Sequence, residues 1–421
     1  MKLKSERYDK RFHPETLALG YAYEAHRSEG SVKPPVFLTS TFEFASAADG
    51  KKFFQAAYGL KELPHGEAMG LIYSRVNNPN LEIYEDRMAA WEEMEKAALF
   101  SSGMAAISTT ALALCRPGDV VLSTMPVYGG THFLFEHILP EMGIHAEFMP
   151  AGCTAHEAMR AAAARFPGKV RMLYIESPAN PSLMLTDIQA CADLARELST
   201  PERRVYTAVD NTFLGPLFQH PVDFGADIVL YSATKFLGGH SDLVAGLAIS
   251  DAATMQAIGT YRTILGTMAQ PFTAWMLTRS LETLSIRMRR QAKTAQKLAE
   301  LLFEHPKVTR VIYPSLLDPE SPQGKLYREQ TTGHGSLISF EVEGGEEAAF
   351  KVLDRFEIFR LAVSLGGTES LAEHPMRMTH ADVSPEQLAN HGVTESMIRI
   401  SVGLEHLNDL KRDLKQALEI L

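Results

Sequence analysis

The chain has 421 residues, 45% of them hydrophobic and 22% charged, which is typical of a soluble globular enzyme with more than one domain. Its net charge of −10 argues against nucleic acid or an anionic membrane as a partner, and no apolar run approaches the roughly 20 residues that span a bilayer. The charged start lacks the apolar core of a secretory signal, and three scattered cysteines cannot build a disulfide framework, so we expect a cytoplasmic protein.

The elements fall into three predicted parts. Residues 1–77 have weak periodicity and several prolines and glycines, as in "SVKPPVFLTSTF" and "LPHGEAMG", which indicates an extended N-terminal arm with few helices. Arms of this kind often wrap a neighbouring subunit. In residues 78–285, helical patterns alternate with five short apolar runs: "KAALF", "DVVLST", "VRMLYIES", "VYTAVDN" and "DIVLYS". This alternation predicts a mostly parallel α/β sheet.

Residues 286–421 predict a smaller α+β domain. The helical pattern "KTAQKLAELLFEH" is followed by the strand-like "SLISFEVEGG" and "MIRISVGLE". An amphipathic helix with leucines at spacings of three and four closes the chain.

A strand-to-helix turn, "ALFSSGMAAI", is the first candidate for chemistry. Exposed N–H groups at a helix start bind anions, and Gly103 permits close backbone approach. A plain turn is the alternative. The chain has neither a GxGxxG nor a P-loop pattern, so we do not expect a nucleotide-binding fold. It has no HExxH pattern either, so we do not expect a metal site.

Two predicted strand ends offer a carboxylate and a lysine to one crevice. Asp210 ends "VYTAVDN", and Lys235 follows the next strand within "YSATKFLGGHSD", after Ser232 and Thr234. Ligands bind at this edge of open α/β sheets. Asp210 as a turn cap and Lys235 as an exposed surface charge are the alternatives. A lysine, an acid for a pyridinium nitrogen and a phosphate cup at the Gly103 helix start are the parts that hold pyridoxal 5'-phosphate (PLP).

The sequence also resembles the PLP-dependent enzymes of cysteine and methionine metabolism. Eight fragments match in the family's order: "VKPPVFLTSTFEF", "YSRVNNPN", "SSGMAAI", "YGGTH", "ESPANPSL", "VDNTF", "AVSLGGTESLAEHP" and "IRISVGLE". The resemblance covers nearly the whole chain. It implies the fold-type I PLP-dependent transferase architecture, similar to aspartate aminotransferase, and a homotetramer built as a dimer of dimers.

The resemblance assigns roles around the cofactor ring. Lys235 should bind PLP covalently and then move protons between Cα of the substrate and C4′ of the cofactor. Asp210 should keep the pyridine nitrogen protonated. Tyr128 matches a tyrosine that stacks on the ring and protonates the leaving group. The positions that match phosphate contacts are Gly103, Met104, Ser232 and Thr234, together with Tyr73 and Arg75, which match residues that reach across to the other subunit of the dimer.

The same resemblance assigns the substrate pocket. Arg399 should clamp the substrate carboxylate, and Ser364 and Asn180 should line the same pocket. Val363 stands where many cystathionine γ-lyases have glutamate, and an apolar residue there suits a thioether or a simple homoserine ester.

The C-terminal third is most similar to methionine γ-lyases, so we expect γ-elimination on L-methionine. Methionine γ-lyases commonly have a cysteine two residues after the ring tyrosine, where this chain has Gly130. Two alternatives stay open, and the difference at Gly130 supports the first of them. One is γ-replacement on O-acetyl- or O-succinylhomoserine by a sulfhydrylase or a cystathionine γ-synthase. The other is a PLP-binding sensor without catalysis, although no basic recognition helix is evident.

Overall fold

The computed structural model describes residues 12–61, 63, 69–381, 383, 385–390 and 392–421. Its strands, in chain order, are β1 (Lys96–Phe100), β2 (Val120–Met125), β3 (His145–Pro150), β4 (Val170–Glu176), β5 (Tyr206–Asp210), β6 (Ile228–Ser232), β7 (Gly246–Ser250), β8 (Val308–Ile312), β9 (Leu337–Val342), β10 (Arg360–Leu361), β11 (Leu371–Glu373) and β12 (Met397–Ser401). Its α-helices are α1 (Pro14–Gly20), α2 (Ala47–Ala57), α3 (Pro79–Trp91), α4 (Gly103–Leu114), α5 (Gly129–Phe133), α6 (Leu139–Glu141), α7 (Ala155–Ala163), α8 (Ile188–Leu198), α9 (Gly215–Phe218), α10 (Ala252–Leu265), α11 (Pro271–Leu281), α12 (Leu284–Phe303), α13 (Pro322–Gln330), α14 (Gly345–Arg355), α15 (Pro385–Asn390) and α16 (Leu407–Leu418).

The chain divides into two compact units. The first comprises the chain up to Leu114 with Ser232–Gly238 and Leu243–Thr283, and the second comprises Cys115–Tyr231, Gly239–Asp242 and Leu284–Leu421. The predicted division at residues 77 and 285 stays a prediction.

The first unit is organised around α3 and the strand pair β1–β7. Helix α3 begins where the Asn78 side chain accepts a hydrogen bond from the N–H of Asn80, and it has proline in its first turn, as helix starts prefer. Strands β1 and β7 pair antiparallel. Arg87 of α3 is buried and donates to the carbonyls of Ala18 and Tyr21, which anchors α1 of the predicted arm. Residues 1–11, 62 and 64–68 of that arm lie outside the described residues.

The second unit contains the parallel strands in the order β6-β5-β4-β2-β3, and every pairing among them is parallel. Helices α7 and α8 bury an apolar face against these strands. Because β4, β5 and β6 run in the same direction, their carboxyl ends meet at one edge, where Glu176 and Asp210 are cross-strand partners. This confirms the predicted parallel α/β architecture.

The C-terminal part of the second unit is a five-stranded sheet in the order β10-β11-β12-β9-β8. Strand β12 is central and antiparallel to both neighbours, and α12, α14 and α16 cover the sheet with aliphatic side chains. Asp413 of α16 is buried and accepts the N–H groups of Glu357, Ile358 and Phe359, so it closes the chain segment before β10. The α+β prediction for this part is confirmed.

The structure differs from the sequence prediction at β1, β3 and β7. "KAALF" forms β1, but β1 is antiparallel to β7 rather than part of a parallel pair. Strands β3 and β7 were not predicted: β3 is largely accessible to solvent and lacks an apolar run, and β7 follows glycine-rich turn residues that mask a short apolar segment. Within the described residues, no helix is both long enough and apolar enough to cross a bilayer.

Candidate active site

Asp210 is held in a dry environment at the end of β5. It is 7% exposed, and its Oδ1 accepts the Thr212 N–H at 3.0 Å and the Thr212 hydroxyl at 2.5 Å. Its Oδ2 accepts a longer bond of 3.4 Å from the Tyr174 hydroxyl. Burial raises the pKa of Asp210 above its ordinary value, and the bonds from Thr212 oppose this by favouring the ionised form. A carboxylate with fixed orientation and little water suits a cationic nitrogen as partner.

Lys235 lies three residues beyond the end of β6, in the first unit. It is half-buried, and its N–H donates to the Ser232 carbonyl at 3.2 Å, which turns the chain immediately after the strand. Strand β6 is the parallel neighbour of β5. The sequence therefore predicted correctly that the lysine and the carboxylate follow adjacent strands.

Gly103 permits a close approach at the start of α4. A Cβ atom at this position would lie 3.0 Å from Cβ of Ser232 and 3.2 Å from its Cα. The first turn of α4 therefore sits directly against the end of β6, with half-buried Met104 as its second residue. The N–H groups of a first helical turn lack intrahelical acceptors, so this place fits a phosphate.

The Thr234 hydroxyl bonds to the backbone of Ala245, whereas the sequence predicted that it contacts the phosphate. Its hydroxyl accepts the Ala245 N–H at 3.0 Å and donates to the Ala245 carbonyl at 3.1 Å. A hydroxyl has one hydrogen to donate. A phosphate contact from this side chain would therefore compete with the bond to Ala245.

Tyr73 and Arg75 lie on the surface of the first unit. Both side chains are exposed, and the Arg75 guanidinium lies 5.9 Å from the centroid of the Tyr73 ring. Arg75 also donates to the Thr263 carbonyl at 2.7 Å. An exposed tyrosine and arginine held side by side fit the predicted contact with another subunit.

In the second unit, the backbone N–H groups of Tyr128 and Asn180 both donate to the carboxyl group of Glu176. The N–H of Tyr128 donates to Oε2 of Glu176 at 2.8 Å, and the N–H of Asn180 donates to Oε1 at 2.9 Å. Glu176 is 4% exposed, whereas the Tyr128 side chain is 45% exposed. Glu176 was not predicted from the sequence, although it ends a predicted strand in the same way as Asp210.

Arg399 of β12 is buried and surrounded by acceptors. Its Nη1 donates to Oε1 of Glu373 and Oδ1 of Asn180, both at 2.9 Å, and its Nη2 donates to the Ser364 carbonyl at 2.9 Å. Its Nε has no partner among the described atoms. A guanidinium has five N–H donors, so Nε and the second hydrogen of Nη2 are left for a further acceptor. Glu373 is the second residue that the sequence analysis missed.

Ser364 and Val363 lie in the segment between β10 and β11. Ser364 has φ of +117°, a conformation that residues other than glycine rarely adopt and that clusters at functional sites. Val363, the preceding residue, is 54% exposed. The structure therefore brings together Arg399, Asn180 and Ser364 as predicted, with an accessible apolar side chain next to them.

Each of the two units contains residues whose chemistry suits PLP. Asp210 is a buried carboxyl group whose bonds from Thr212 favour its ionised form, Gly103 permits a close approach at the start of α4, and Lys235 follows the strand next to β5. In the described part of the chain, no group of three His, Cys, Asp or Glu side chains is placed to hold a metal ion. The fold and these residues define a PLP-dependent enzyme of fold type I.

The chain belongs to the Cys/Met metabolism PLP-dependent enzyme family, whose model matches residues 15–419. It is 38% identical over 417 residues to the L-methionine gamma-lyase of Pseudomonas deceptionensis, with 98% of each chain covered. It is 36% identical over 407 residues to the O-succinylhomoserine sulfhydrylase of Pseudomonas aeruginosa, with 97% of this chain and 95% of that protein covered. The structure is similar to that of cystathionine gamma synthase from Xanthomonas oryzae pv. oryzae in complex with aminoacrylate and cysteine, with a TM-score of 0.86, 33% identity and 97% and 98% of the two chains covered.

Family membership confirms that the protein is an enzyme and that its cofactor is PLP, so a sensor without catalysis is no longer an alternative. The family works in methionine and cysteine metabolism, by γ-elimination and γ-replacement.

The buried Glu176 predicts a pH dependence of stability. Burial and the neighbouring Asp210 raise the pKa of the Glu176 carboxyl to about 8. Between its ordinary pKa and the raised one, the folded chain holds a proton that the unfolded chain has released, so stability falls as pH rises. We expect the free energy of unfolding of the cofactor-free protein to fall from about pH 5 to about pH 8 more steeply than in Glu176→Gln. Urea titrations across that range measure both slopes, and equal slopes would contradict the prediction.

Proposed function

We propose that this enzyme catalyses γ-elimination on L-methionine, which consumes one water and releases methanethiol, 2-oxobutanoate and ammonia. The observation that carries the proposal is the setting of Val363. This exposed apolar side chain directly precedes Ser364, whose carbonyl accepts a hydrogen bond from Arg399. A substrate whose carboxylate lies at Arg399 therefore meets an uncharged residue beyond it, which favours a thioether. We place the enzyme in the cytoplasm, as its sequence predicts.

Arg399 is proposed to bind the substrate carboxylate. Its Nε and one Nη2 hydrogen remain for a bidentate contact, the strong form of arginine–carboxylate recognition. Asn180 and Glu373 hold the opposite Nη1, so the guanidinium is oriented before the substrate arrives. This preorganisation lowers the entropy cost of binding.

Proton movements are assigned to Lys235 and Tyr128. When bound, PLP supplies an electron sink for the pair left behind on Cα. Nζ of Lys235 is proposed to accept the Cα proton and then a Cβ proton, and the electron pair left on Cβ expels the sulfur as the Cγ–S bond breaks. The Tyr128 hydroxyl is proposed to donate a proton to that leaving sulfur. Asp210, oriented by Thr212, keeps a proton on the ring nitrogen. The N–H groups of Gly103 and Met104 and the Ser232 hydroxyl are proposed to hold the phosphate. Thr234 can donate to it only if its bond to the Ala245 carbonyl breaks.

A second candidate is γ-replacement on O-acetyl- or O-succinylhomoserine, and Gly130 is the observation that favours it. Gly130 lies in α5, two residues after Tyr128, where methionine γ-lyases commonly have cysteine. A glycine leaves space beside the tyrosine for an incoming nucleophile. The 36% identity to a sulfhydrylase supports this candidate as well.

A substrate panel separates the two candidates. We expect L-methionine to give 2-oxobutanoate and methanethiol, and O-acetylhomoserine with an added thiol to give more 2-oxobutanoate than new thioether. Both products are followed by chromatography in the same reactions. Thioether that forms faster than the ketoacid would move the assignment to γ-replacement, and turnover of neither substrate would reject γ-chemistry.

Matched variants of Val363 test the specificity argument. Because the side chain is exposed, its replacement should leave the fold intact. Val363→Glu should lower kcat/KM for methionine at least about tenfold, because a carboxylate next to the thioether is unfavourable. Val363→Leu, which keeps an apolar side chain, is the control and should stay near wild type. An equal effect of both variants would show that the charge at this position is irrelevant.

We also propose a homotetramer built from two dimers, with each active site completed across the dimer. The exposed Tyr73 and Arg75 support this, because a single chain leaves both side chains accessible. In this arrangement Arg75 of one chain serves the cofactor held by Lys235 of the other.

Subunit mixing tests the shared site. Lys235→Ala and Arg75→Ala proteins should each be nearly inactive, and after complete exchange about one quarter of the sites should be intact, because half of the dimers are hybrids with one intact site each. The control is Lys235→Ala mixed with Asp210→Asn, which should recover no activity. Lys235 and Asp210 of any one site come from the same chain, so each site of a hybrid dimer contains one of the two changes. Absence of recovery in the first mixture, after exchange is verified with labelled subunits, would reject the shared site.

A further inference from the structure

Glu176 is a buried carboxylate whose two oxygens bind different loops. It ends β4 and is 4% exposed. Its Oε2 accepts the N–H of Tyr128, the residue directly before α5, and its Oε1 accepts the N–H of Asn180, four residues after Glu176 itself. Its own N–H donates to the Thr124 hydroxyl at the end of β2, which fixes its backbone. The carboxylate is thus held on a strand and in turn holds two loops.

Both loops lead to residues with proposed functions. The Tyr128 side chain is 45% exposed, so packing within the chain does little to fix its ring and the backbone position decides where it points. The Asn180 side chain accepts a hydrogen bond from Nη1 of Arg399 at 2.9 Å. One carboxylate therefore connects the proposed proton donor with the proposed carboxylate clamp.

The two hydrogen bonds require two acceptor oxygens on one side chain, which a carboxyl group supplies. Two N–H donors need two acceptor oxygens, and a glutamine at this position offers one acceptor and one NH2 group. The NH2 group would face an N–H donor and leave one loop unbound. An aspartate keeps both oxygens but is shorter by one carbon–carbon bond of about 1.5 Å, so it cannot reach both loops.

Asp413 shows what a purely structural carboxylate looks like in the same unit. It is 2% exposed and accepts three backbone N–H groups, from Glu357, Ile358 and Phe359, at 2.8 to 3.0 Å. None of these residues has a proposed role in the reaction. Asp413 is therefore a matched control for the loss of a buried acceptor.

We propose that Glu176 is a positioning residue that sets Tyr128 for proton donation and, through Asn180, sets Arg399 for carboxylate binding. The proposal rests on the proposed functions of Tyr128 and Arg399. It predicts two separable effects, one on the chemical step and one on substrate affinity, because the two oxygens serve two loops.

The test is a double-mutant cycle with the PLP-loaded enzyme and its best amino-acid substrate. Glu176→Gln should lower kcat about tenfold to a hundredfold and raise KM several-fold, because displacement of a catalytic group by about 1 Å costs that much. In a Tyr128→Phe background the same change should alter kcat less than about threefold, since the group it positions is already lost, while KM still rises. Asp413→Asn should lower the melting temperature and leave kcat and KM within about twofold in both backgrounds.

Two results would overturn the proposal: kinetic constants of Glu176→Gln equal to those of Asp413→Asn, or a loss of kcat that is undiminished in the Tyr128→Phe background. If Glu176→Gln does not fold, Glu176→Asp takes its place with the same expectations. If Tyr128→Phe alone keeps wild-type kcat, the proposed function of Tyr128 fails separately. The KM of Glu176→Gln then decides, because a rise supports positioning of Arg399 and an unchanged value rejects it.

Discussion

Two carboxylates lie side by side in a dry environment at the carboxyl ends of β4 and β5, and the second unit is arranged around that constraint. Glu176 and Asp210 are cross-strand partners and both are buried. Burial disfavours the ionised form of both carboxyl groups and raises both pKa values, and hydrogen-bond donors oppose this shift. Glu176 receives two backbone N–H groups, and Asp210 receives the N–H and hydroxyl of Thr212. The two carboxyl groups therefore bind the loops that follow β2, β4 and β5.

The same argument applies to the cation of the site. A guanidinium as buried as that of Arg399 requires a paired carboxylate, because an isolated buried charge is costly. Glu373 on the neighbouring strand β11 supplies it, directly opposite Arg399 in the antiparallel register. Burial lowers the pKa of Arg399, and the charges of Glu373 and Glu176 oppose that shift. An arginine side chain stays cationic in proteins. Structural stability and the proposed substrate recognition thus depend on the same charges.

The sequence was sufficient for the architecture and for the placement of two proposed site residues at adjacent strand ends. Alternating apolar runs and helical patterns predicted the parallel strands. Asp210 and Lys235 were identified because they lie at or just after the carboxyl ends of two predicted strands, where ligands bind in such sheets. Glu176 was missed, although it ends "VRMLYIES" in the same manner, because a carboxylate without a partner lysine gave no chemistry to recognise. Strand β3 was missed because its residues are too accessible to solvent to show an apolar run.

Roles that depend on long-range packing required the family resemblance. Arg399 and Asn180 are 219 residues apart, and no local pattern could predict that they form a hydrogen bond. Glu373 precedes Arg399 by 26 residues on another strand, and its pairing follows from sheet register, which composition and periodicity do not determine. The bond of the Thr234 hydroxyl to Ala245 is of the same kind, since it forms across a turn whose closure the sequence does not reveal.

The central claim is that Lys235 is the residue to which PLP is bound. The most direct measurement is borohydride reduction of the purified enzyme, followed by proteolysis and mass spectrometry of the labelled peptide. The account predicts one phosphopyridoxyl group per chain, on the peptide that contains Lys235, and none on that peptide in Lys235→Ala protein. A label on a different lysine, or an enzyme that turns over substrate without any label at Lys235, would contradict it.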